Sequence, residues 1–421
     1  MKLLKGSIAT AVAVVTLGSA VFTSAQVASA ETALNAYTWR PQDRALWDYI
    51  NSNNLIDGVT VRLDVTPEDY ESKLRIDMQS NRPDLFFAKA GAPWLSSWID
   101  AGVIAPVADY DINLDVYGEA ALGGFTGSDG VIYSVPVGME MQAILYNKGV
   151  FAQYGINEPR TLSELQAAFN TFKSNGVVPM HVDGRDGWYL NQVLNEVLTA
   201  GFASDAWTQG VITGEACFTD SEYVNALAQL DQWRSDGYLN RNPLADDYGA
   251  MRTEVALGSS AMMIDGIWSA GPGSPMFDIE PGLEIGIMPI PGGKVYGFPD
   301  FGLAANPNSD QQDAIAKVMQ FVSTPQFAQL YAERVGLPAS NHSINVDDAR
   351  ISRAAELMAS NNVAANPFFV FDLNANEPTY QTLSAEQLQR LLAGQVTPEQ
   401  AAAAIQAGLN SWGYVGAANC R

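Results

Sequence analysis

One run of residues, 130–148, limits what this chain can fold into more than any other. It begins Gly-Val-Ile-Tyr-Ser-Val-Pro and ends Ile-Leu-Tyr-Asn-Lys. Pro136 and Gly138 break an extended segment, and a second apolar strand follows them. This pattern predicts a polypeptide that crosses from one lobe to another. Glu140 lies inside that crossing, where a carboxylate could contact a ligand held between the lobes.

The residues before this run alternate between strand and helix patterns. Strands are predicted over 34–38, 59–65 and 83–87, with helical spacing of apolar residues between them. Strand–helix–strand order is typical of an open, mostly parallel sheet flanked by helices. Ligands of such sheets bind outside the carboxyl ends of the strands, which here are the loops at 39–40 and 88–94.

The residues after the run predict a second α/β region. Thr161 and Glu164 form a capping box that opens a helix, and Thr397 and Gln400 form another. Further elements are predicted as helices near 189–200, 221–236 and 248–258, strands at 261–264 and 285–288, and two consecutive helices within 310–335. The chain is long enough for two domains, each with its own core.

The first thirty residues have the pattern of a secretory signal peptide. Lys2 and Lys5 precede an uncharged stretch, and small residues ending at Ala30 supply a cleavage site. The alternative is an uncleaved membrane anchor. No cysteine follows the cleavage site directly, so lipid attachment is not indicated. We therefore expect a soluble periplasmic protein, and a monomer.

Charge and cysteine content narrow the function further. Acidic residues outnumber basic ones 46 to 23, and no cluster of Lys and Arg is present. Nucleic acids and anionic membranes are poor partners for such a chain. The two cysteines, Cys217 and Cys420, reach an oxidising compartment on export. A disulfide between them is predicted, with two separate thiols as the alternative.

Several short elements occur in a fixed order along the chain. Among them are Tyr-Asn-Lys at 146–148, Gly-Ile-Trp at 266–268, Pro-Gly-Gly at 291–293 and Gly-Leu-Pro-Ala at 336–339. Each is short, but their order and spacing together resemble the bacterial extracellular solute-binding proteins of the carbohydrate (maltose-binding-like) family.

This resemblance implies a two-lobed periplasmic binding protein fold of type II, in which each lobe is an α/β unit built on an open, mostly parallel sheet. The implied segments are 31–136 and 296–345 for lobe one, 140–292 and 350–421 for lobe two, and hinges near 134–142 and 293–300. It also implies a sugar held in the cleft between the lobes and an ABC transporter permease as the partner. No cofactor and no metal are expected.

Sugars are bound by aromatic faces that stack on their C–H surfaces and by charged or amide groups that hydrogen-bond to their hydroxyls. Two loops after predicted strands carry such side chains: Trp39 and Arg40 after the first strand, and Lys89 and Trp94 after the third. The alternative for each tryptophan is a place at the edge of the core.

The family resemblance adds three residues to the candidate site. By their offsets from the shared motifs, Glu140, Trp188 and Trp268 match positions that contact sugar in the family, with a hinge salt bridge or core packing as the alternatives. Weaker candidates are Tyr248, Asp247, Asp300 and Tyr380.

Enzyme motifs are poorly represented, and no catalytic residue is assigned. His181 and His342 have no ligand spacing around them, and Gly-x-Ser-x-Gly is absent. A secreted glycosidase with paired carboxylates stays open as an alternative. A polyamine-binding protein of the same fold is the second alternative. The excess of acidic residues in this chain suits a polyamine, but Arg40 and Lys89 among the cleft candidates oppose a cationic ligand.

Overall fold

The computed structural model describes residues 31–66, 69–359, 373, 374 and 376–420. Within them the backbone of the fold is one eight-stranded sheet with the order β2-β1-β3-β8-β4-β6-β5, and β7 also pairs with β4. The strands are β1 (Thr32–Thr38), β2 (Val59–Val65), β3 (Leu85–Lys89), β4 (Val135–Asn147), β5 (Val178–His181), β6 (Ser260–Gly266), β7 (Ile285–Met288) and β8 (Tyr296–Ala305).

Helices cover both faces of this sheet. The α-helices are α1 (Arg44–Ser52), α2 (Tyr70–Met78), α3 (Ala92–Asp100), α4 (Glu119–Gly123), α5 (Lys148–Gln153), α6 (Leu162–Ser174), α7 (Gly187–Tyr189), α8 (Asn195–Phe202), α9 (Asp205–Thr213), α10 (Ser221–Ser235), α11 (Tyr248–Ala256), α12 (Met276–Ile279), α13 (Gln312–Val322), α14 (Pro325–Val335), α15 (Ala349–Ala359), α16 (Tyr380–Leu392) and α17 (Pro398–Asn410). Short 3-10 turns lie at Pro41–Asp43, Val107–Tyr110, Pro243–Ala245 and Ile267–Ser269, and a π-helical stretch at Leu190–Leu194 joins α7 to α8.

The amino-terminal strands form the parallel part predicted from their alternation. β1 pairs with β2 along its whole length and with β3 at Ala36 and Tyr37, in parallel in both cases. Leu34 and Ala36 are fully buried on one face of β1, whereas Ala33 and Asn35 on the other face are exposed.

Strands β4 and β8 run antiparallel to each other and carry the sheet from one lobe to the other. β4 is a single strand of 13 residues, whereas the sequence predicts two extended segments around Pro136 and Gly138. The pairing with β8 shifts register on both sides of Gly138. A bulge of this kind absorbs the missing N–H of a proline without ending the strand.

The carboxyl-terminal part of β4 pairs with β6 and β7, and β6 pairs in parallel with β5. Both capping boxes predicted from the sequence are present, at Thr161–Glu164 before α6 and at Thr397–Gln400 before α17. The predicted pair of helices within 310–335 is also present, as α13 and α14.

A disulfide joins Cys217 to Cys420, with the two Cα atoms 5.4 Å apart. It ties the end of the chain to the loop between α9 and α10. Asn410 on α17 supports the same contact by donating a hydrogen bond to the Cys420 carbonyl at 2.5 Å. The predicted disulfide is therefore present.

The predicted signal peptide, residues 1–30, lies outside the described residues, as does part of the predicted second segment of lobe two, 360–372. In the part of the chain that the structure describes, no helix combines the length and the apolar character that crossing a bilayer requires. The exact lobe and hinge boundaries stay predictions.

Candidate functional site

Arg40 is the centre of a buried ionic cluster beside the crossing strands. Its Nε lies 2.8 Å from an Asp43 carboxylate oxygen, and its Nη1 contacts the Asp300 carboxylate. Its Nη2 donates to the Tyr331 hydroxyl at 3.3 Å. The side chain is only 3% exposed. The guanidinium therefore holds two carboxylates from separate parts of the chain, one after β1 and one on β8.

Glu140 on β4 faces this cluster. It is fully buried, and neither of its carboxyl oxygens receives a hydrogen bond from an N–H or hydroxyl group of the described residues. Burial, and then the charge of Asp300, raises the pKa of Glu140 well above its ordinary value, although Arg40 opposes this. Burial also raises the pKa of Asp300, while Arg40 and a hydrogen bond with Glu140 lower it. Burial and the neighbouring Asp300 carboxylate therefore both favour the neutral form of Glu140.

Trp39 and Lys89 lie next to the cluster, because Trp39 and Arg40 both contact the Phe301 ring. The Trp39 ring is 6.3 Å from Phe301 and 5.1 Å from Tyr70, and the Lys89 ammonium lies 5.5 Å from the Trp39 ring. Lys89 also makes a half-exposed ion pair with Glu71 at 2.8 Å. The structure thus brings four predicted residues together around β8: Trp39, Arg40, Lys89 and Asp300.

A second cluster lies at the end of β6. The Trp268 indole N–H donates to the Tyr248 hydroxyl. That hydroxyl lies 3.1 and 3.0 Å from the two carboxylate oxygens of Asp265 and 3.1 Å from Ser269 Oγ. Asp265 is fully buried, and this burial raises its pKa to about 6. Trp268, which the sequence predicts to stack on a ligand, is therefore held by a hydrogen bond to Tyr248.

Trp188 completes the aromatic part of this cluster. Its ring meets the Tyr248 ring edge-on, with 4.8 Å between centroids, and 42% of its surface is exposed. The π-helical stretch Leu190–Leu194 follows directly. π-helical turns occur frequently at functional sites. The Trp188 indole therefore packs against Tyr248 and leaves part of its apolar surface open to solvent.

Strand β4 connects the two clusters. Gln142 pairs with Gly266 on β6 and with Tyr296 on β8, and Glu140 pairs with Phe298 on β8. Cross-strand partners point their side chains to the same face of a sheet. Glu140 and Asp300 therefore lie on the paired strands β4 and β8, and β4 also pairs with the end of β6, which Trp268 follows.

The remaining candidates, Trp94, Asp247 and Tyr380, are engaged in contacts of their own. Trp94 packs on Phe86 and Trp98 at 6.4 and 5.3 Å, at the edge of a core cluster of the amino-terminal strands. Asp247 caps α11 by accepting the Ala250 N–H at 2.9 Å. Tyr380 is fully buried.

Four further residues of the two clusters were not singled out as candidates from the sequence: Asp43, Tyr331, Asp265 and Ser269. Asp265 and Ser269 flank the Gly-Ile-Trp motif, so that motif could have pointed to them. Nothing local in the sequence identifies Tyr331, because it is 291 positions from Arg40. Among the described residues, no group of three His, Cys, Asp or Glu side chains is arranged to hold a metal ion.

Fold and site together define a two-lobed α/β binding protein whose candidate ligand site lies along its crossing strands. Residues 54–329, more than half of the chain, match the family of bacterial extracellular solute-binding proteins. The chain belongs to this family. As a member of an extracellular family, the protein is exported.

Two curated relatives and one solved structure illustrate the similarity. A melibiose/raffinose/stachyose-binding protein of Bacillus subtilis is 23% identical over 332 residues, which cover 74% of this chain and 73% of the relative. An uncharacterized ABC transporter extracellular-binding protein of Pyrococcus horikoshii is 27% identical over 198 residues, covering 46% of this chain and 43% of that relative. The chain thus spans less than half the length of the Pyrococcus relative in this match.

The solved structure of a chitin oligosaccharide binding protein superposes with a TM-score of 0.72 at 22% identity. The superposition covers 90% of this chain and 98% of that one. The two-lobed fold predicted from the sequence is thereby confirmed.

Proposed function

We propose that this protein captures a sugar or oligosaccharide between its lobes and delivers it to the permease of an ABC transporter. The observation that carries the proposal is the exposed Trp188 indole, which packs on Tyr248, whose hydroxyl in turn accepts a hydrogen bond from Trp268. Stacking faces next to polar groups match the two surfaces of a sugar ring, its C–H face and its hydroxyl edge. The sugar-binding names of relatives support the same ligand class.

Capture would proceed by closing the lobes around the ligand. The candidate residues come from both sides of the crossing strands, with Arg40 in the loop after β1 and Trp268 after β6. A ligand that touches both sides binds the closed form more tightly than the open form, and this difference in affinity shifts the population toward closure. The same change of shape would signal the loaded state to the permease. We place the exported protein in the periplasm, with its signal peptide cleaved after Ala30.

The ligand test is a titration of tryptophan fluorescence with melibiose, raffinose, stachyose, chitin oligosaccharides and glucose. Trp268→Ala and Glu140→Ala should each weaken binding of the sugar that wild type takes by about tenfold or more. Trp412→Phe, near the carboxyl terminus, is the control that should keep wild-type affinity. If both site variants bind as wild type does, the site assignment is wrong. If no sugar binds, the ligand class is wrong.

A polyamine remains the second candidate ligand, because of a specific observation. Arg40 and Lys89, the cations that oppose a cationic ligand, are both paired with carboxylates in the structure. Thermal unfolding with spermidine and with each sugar separates the two, since a ligand that binds only the folded state raises the melting temperature. Recovery of a labelled oligosaccharide without cleavage separates a binding protein from a glycosidase.

A further inference from the structure

Tyr248 has its hydroxyl fully engaged by its neighbours. The oxygen accepts the Trp268 indole N–H, and both Asp265 oxygens lie within 3.1 Å of it. A phenol has only one proton to donate. The carboxylate of Asp265 is the strongest acceptor in reach, so it accepts the hydrogen bond from the Tyr248 hydroxyl, and the lone pairs of that oxygen face the indole.

The Trp268 indole is also held from a second side. Its six-membered ring lies directly over the backbone of Gly266, in the space where any side chain at that position would stand. The Tyr248 ring that supports it is itself packed against the Arg252 guanidinium at 4.1 Å. The indole therefore has little freedom to turn while the hydrogen bond from its N–H persists.

We propose that Asp265 is a positioning residue, whose carboxylate orients the Tyr248 hydroxyl so that this hydroxyl fixes the Trp268 indole for stacking on the ligand. This inference rests on the proposed function, because it assigns a role within the same site. Neutralising Asp265 would leave the Tyr248 proton without its carboxylate acceptor. The indole would then lose its fixed orientation without any change in the aromatic residues themselves.

The charge of Asp265 is sensitive to mildly acidic pH. Burial raises its pKa to about 6. Hydrogen bonds from Ser269 and the Gly266 N–H, together with the charge of Arg252, oppose this rise because they favour the carboxylate. The groups that face it from neighbouring elements are Tyr248 and Arg252 on α11, Ser269 in the turn after β6, Glu140 on β4 and Tyr189 on α7. Ligand affinity should therefore decline as the pH falls below about 6.

The first experiment needs no ligand. The fluorescence contributed by Trp268, taken as the difference between wild type and Trp268→Phe, is followed from pH 8 to pH 4.5. We expect a transition near pH 6 in wild type that is absent in Asp265→Asn and in Tyr248→Phe. Asp265→Glu, which restores a carboxylate, should recover a transition. Glu386→Gln, an exposed acid on α16, is the matched control and should titrate as wild type does.

The second experiment repeats the titration with raffinose, or with whichever panel sugar wild type binds. At pH 7.5 we expect Asp265→Asn to bind about tenfold more weakly than wild type, and its affinity should lack the decline near pH 6 that wild type shows. Thermal unfolding checks that each variant is folded, and Tyr248→Phe replaces Asp265→Asn if the latter is not.

The outcomes separate the two proposals. A transition near pH 6 that persists in folded Asp265→Asn, or wild-type affinity and pH dependence in that variant, overturns the positioning role. Loss of the transition in Asp265→Asn together with no binding of any sugar supports the positioning role and overturns the proposed ligand class.

Discussion

Glu140 on β4 and Asp300 on β8 lie on the two crossing strands, and the charge of Asp300 adds to burial in raising the pKa of Glu140. Arg40 contacts Asp300 from the other side and compensates its charge. A residue suspected of ligand contact is therefore also part of a buried network between the strands that join the lobes. Substitutions here should change stability as well as affinity.

The Glu140 proton predicts a specific pH dependence of stability. The pKa of Glu140 is raised in the folded protein above the value of 4.5 that is usual for Glu, so the unfolded chain releases this proton at lower pH than the folded protein does. The free energy of unfolding is therefore lost as the pH rises above 4.5, until the folded protein releases the proton. The Glu140→Gln variant has no such proton to release. As the pH rises, its free energy of unfolding should therefore increase relative to that of wild type by up to about 1.4 kcal/mol per pH unit.

Urea unfolding of the ligand-free protein between pH 4.5 and 8 measures this difference. Taking the difference from wild type cancels the contribution of the buried acids that do not interact with Glu140. Glu386→Gln serves as the control with an exposed acid and should follow the wild-type curve. Parallel curves for Glu140→Gln and wild type would show that Glu140 is ionised in the folded protein.

Replacing Arg40 should destabilise the protein strongly. Arg40→Met keeps much of the side-chain volume but leaves Asp43 and Asp300 buried without a cation, which costs about 3–5 kcal/mol. The exposed pair Lys148–Glu284, 4.0 Å apart, offers a contrast, and Lys148→Ala should change the free energy of unfolding by less than about 1 kcal/mol. Urea unfolding at pH 7 compares the two. Similar losses in both variants would contradict the buried cluster.

Gly138 lies where the Tyr331 ring meets β4, and a methyl group at this position would overlap the Tyr331 hydroxyl. Gly138→Ala should therefore lower the free energy of unfolding by about 1–3 kcal/mol. Tyr331→Phe removes the overlapping oxygen, so the double variant should recover part of the loss. A double-mutant cycle measures this coupling, and additive losses would show that Tyr331 is not the cause.

The disulfide should contribute substantially to stability, because it closes a separation of 203 residues between Cys217 and Cys420. On chain-entropy grounds the double variant Cys217→Ala/Cys420→Ala should lose up to about 5 kcal/mol of unfolding free energy. Unfolding with and without dithiothreitol provides the check. Reduced wild type should approach the variant, and the variant itself should not respond. A wild type that also fails to respond would show that the bond is not formed in solution.

Much of the fold follows from local patterns in the sequence. Alternation predicts the bounds of β2 as the structure has them, the strand predicted at 285–288 is present as β7, and the capping boxes at Thr161 and Thr397 mark two helix starts. These features depend on residues within a few positions of one another, so the sequence alone predicts them. The order of short motifs likewise pointed to the family and to Glu140, Trp188 and Trp268.

The tertiary structure decided what these residues do to one another. The sequence predicts a break at Pro136 that the bulge in β4 absorbs, because the pairing with β8 continues on both sides of it. Arg40 reaches Asp300 across 260 positions, and Trp268 shares its hydrogen-bond partner, Tyr248, with Asp265. Such pairings depend on the order of strands in the sheet and on which side chains lose their water, and neither is encoded in local periodicity. The sequence thus determined which helices and strands form and which family the chain belongs to. Only the folded structure determined which carboxylates Arg40 pairs with and how Tyr248 and Asp265 orient Trp268.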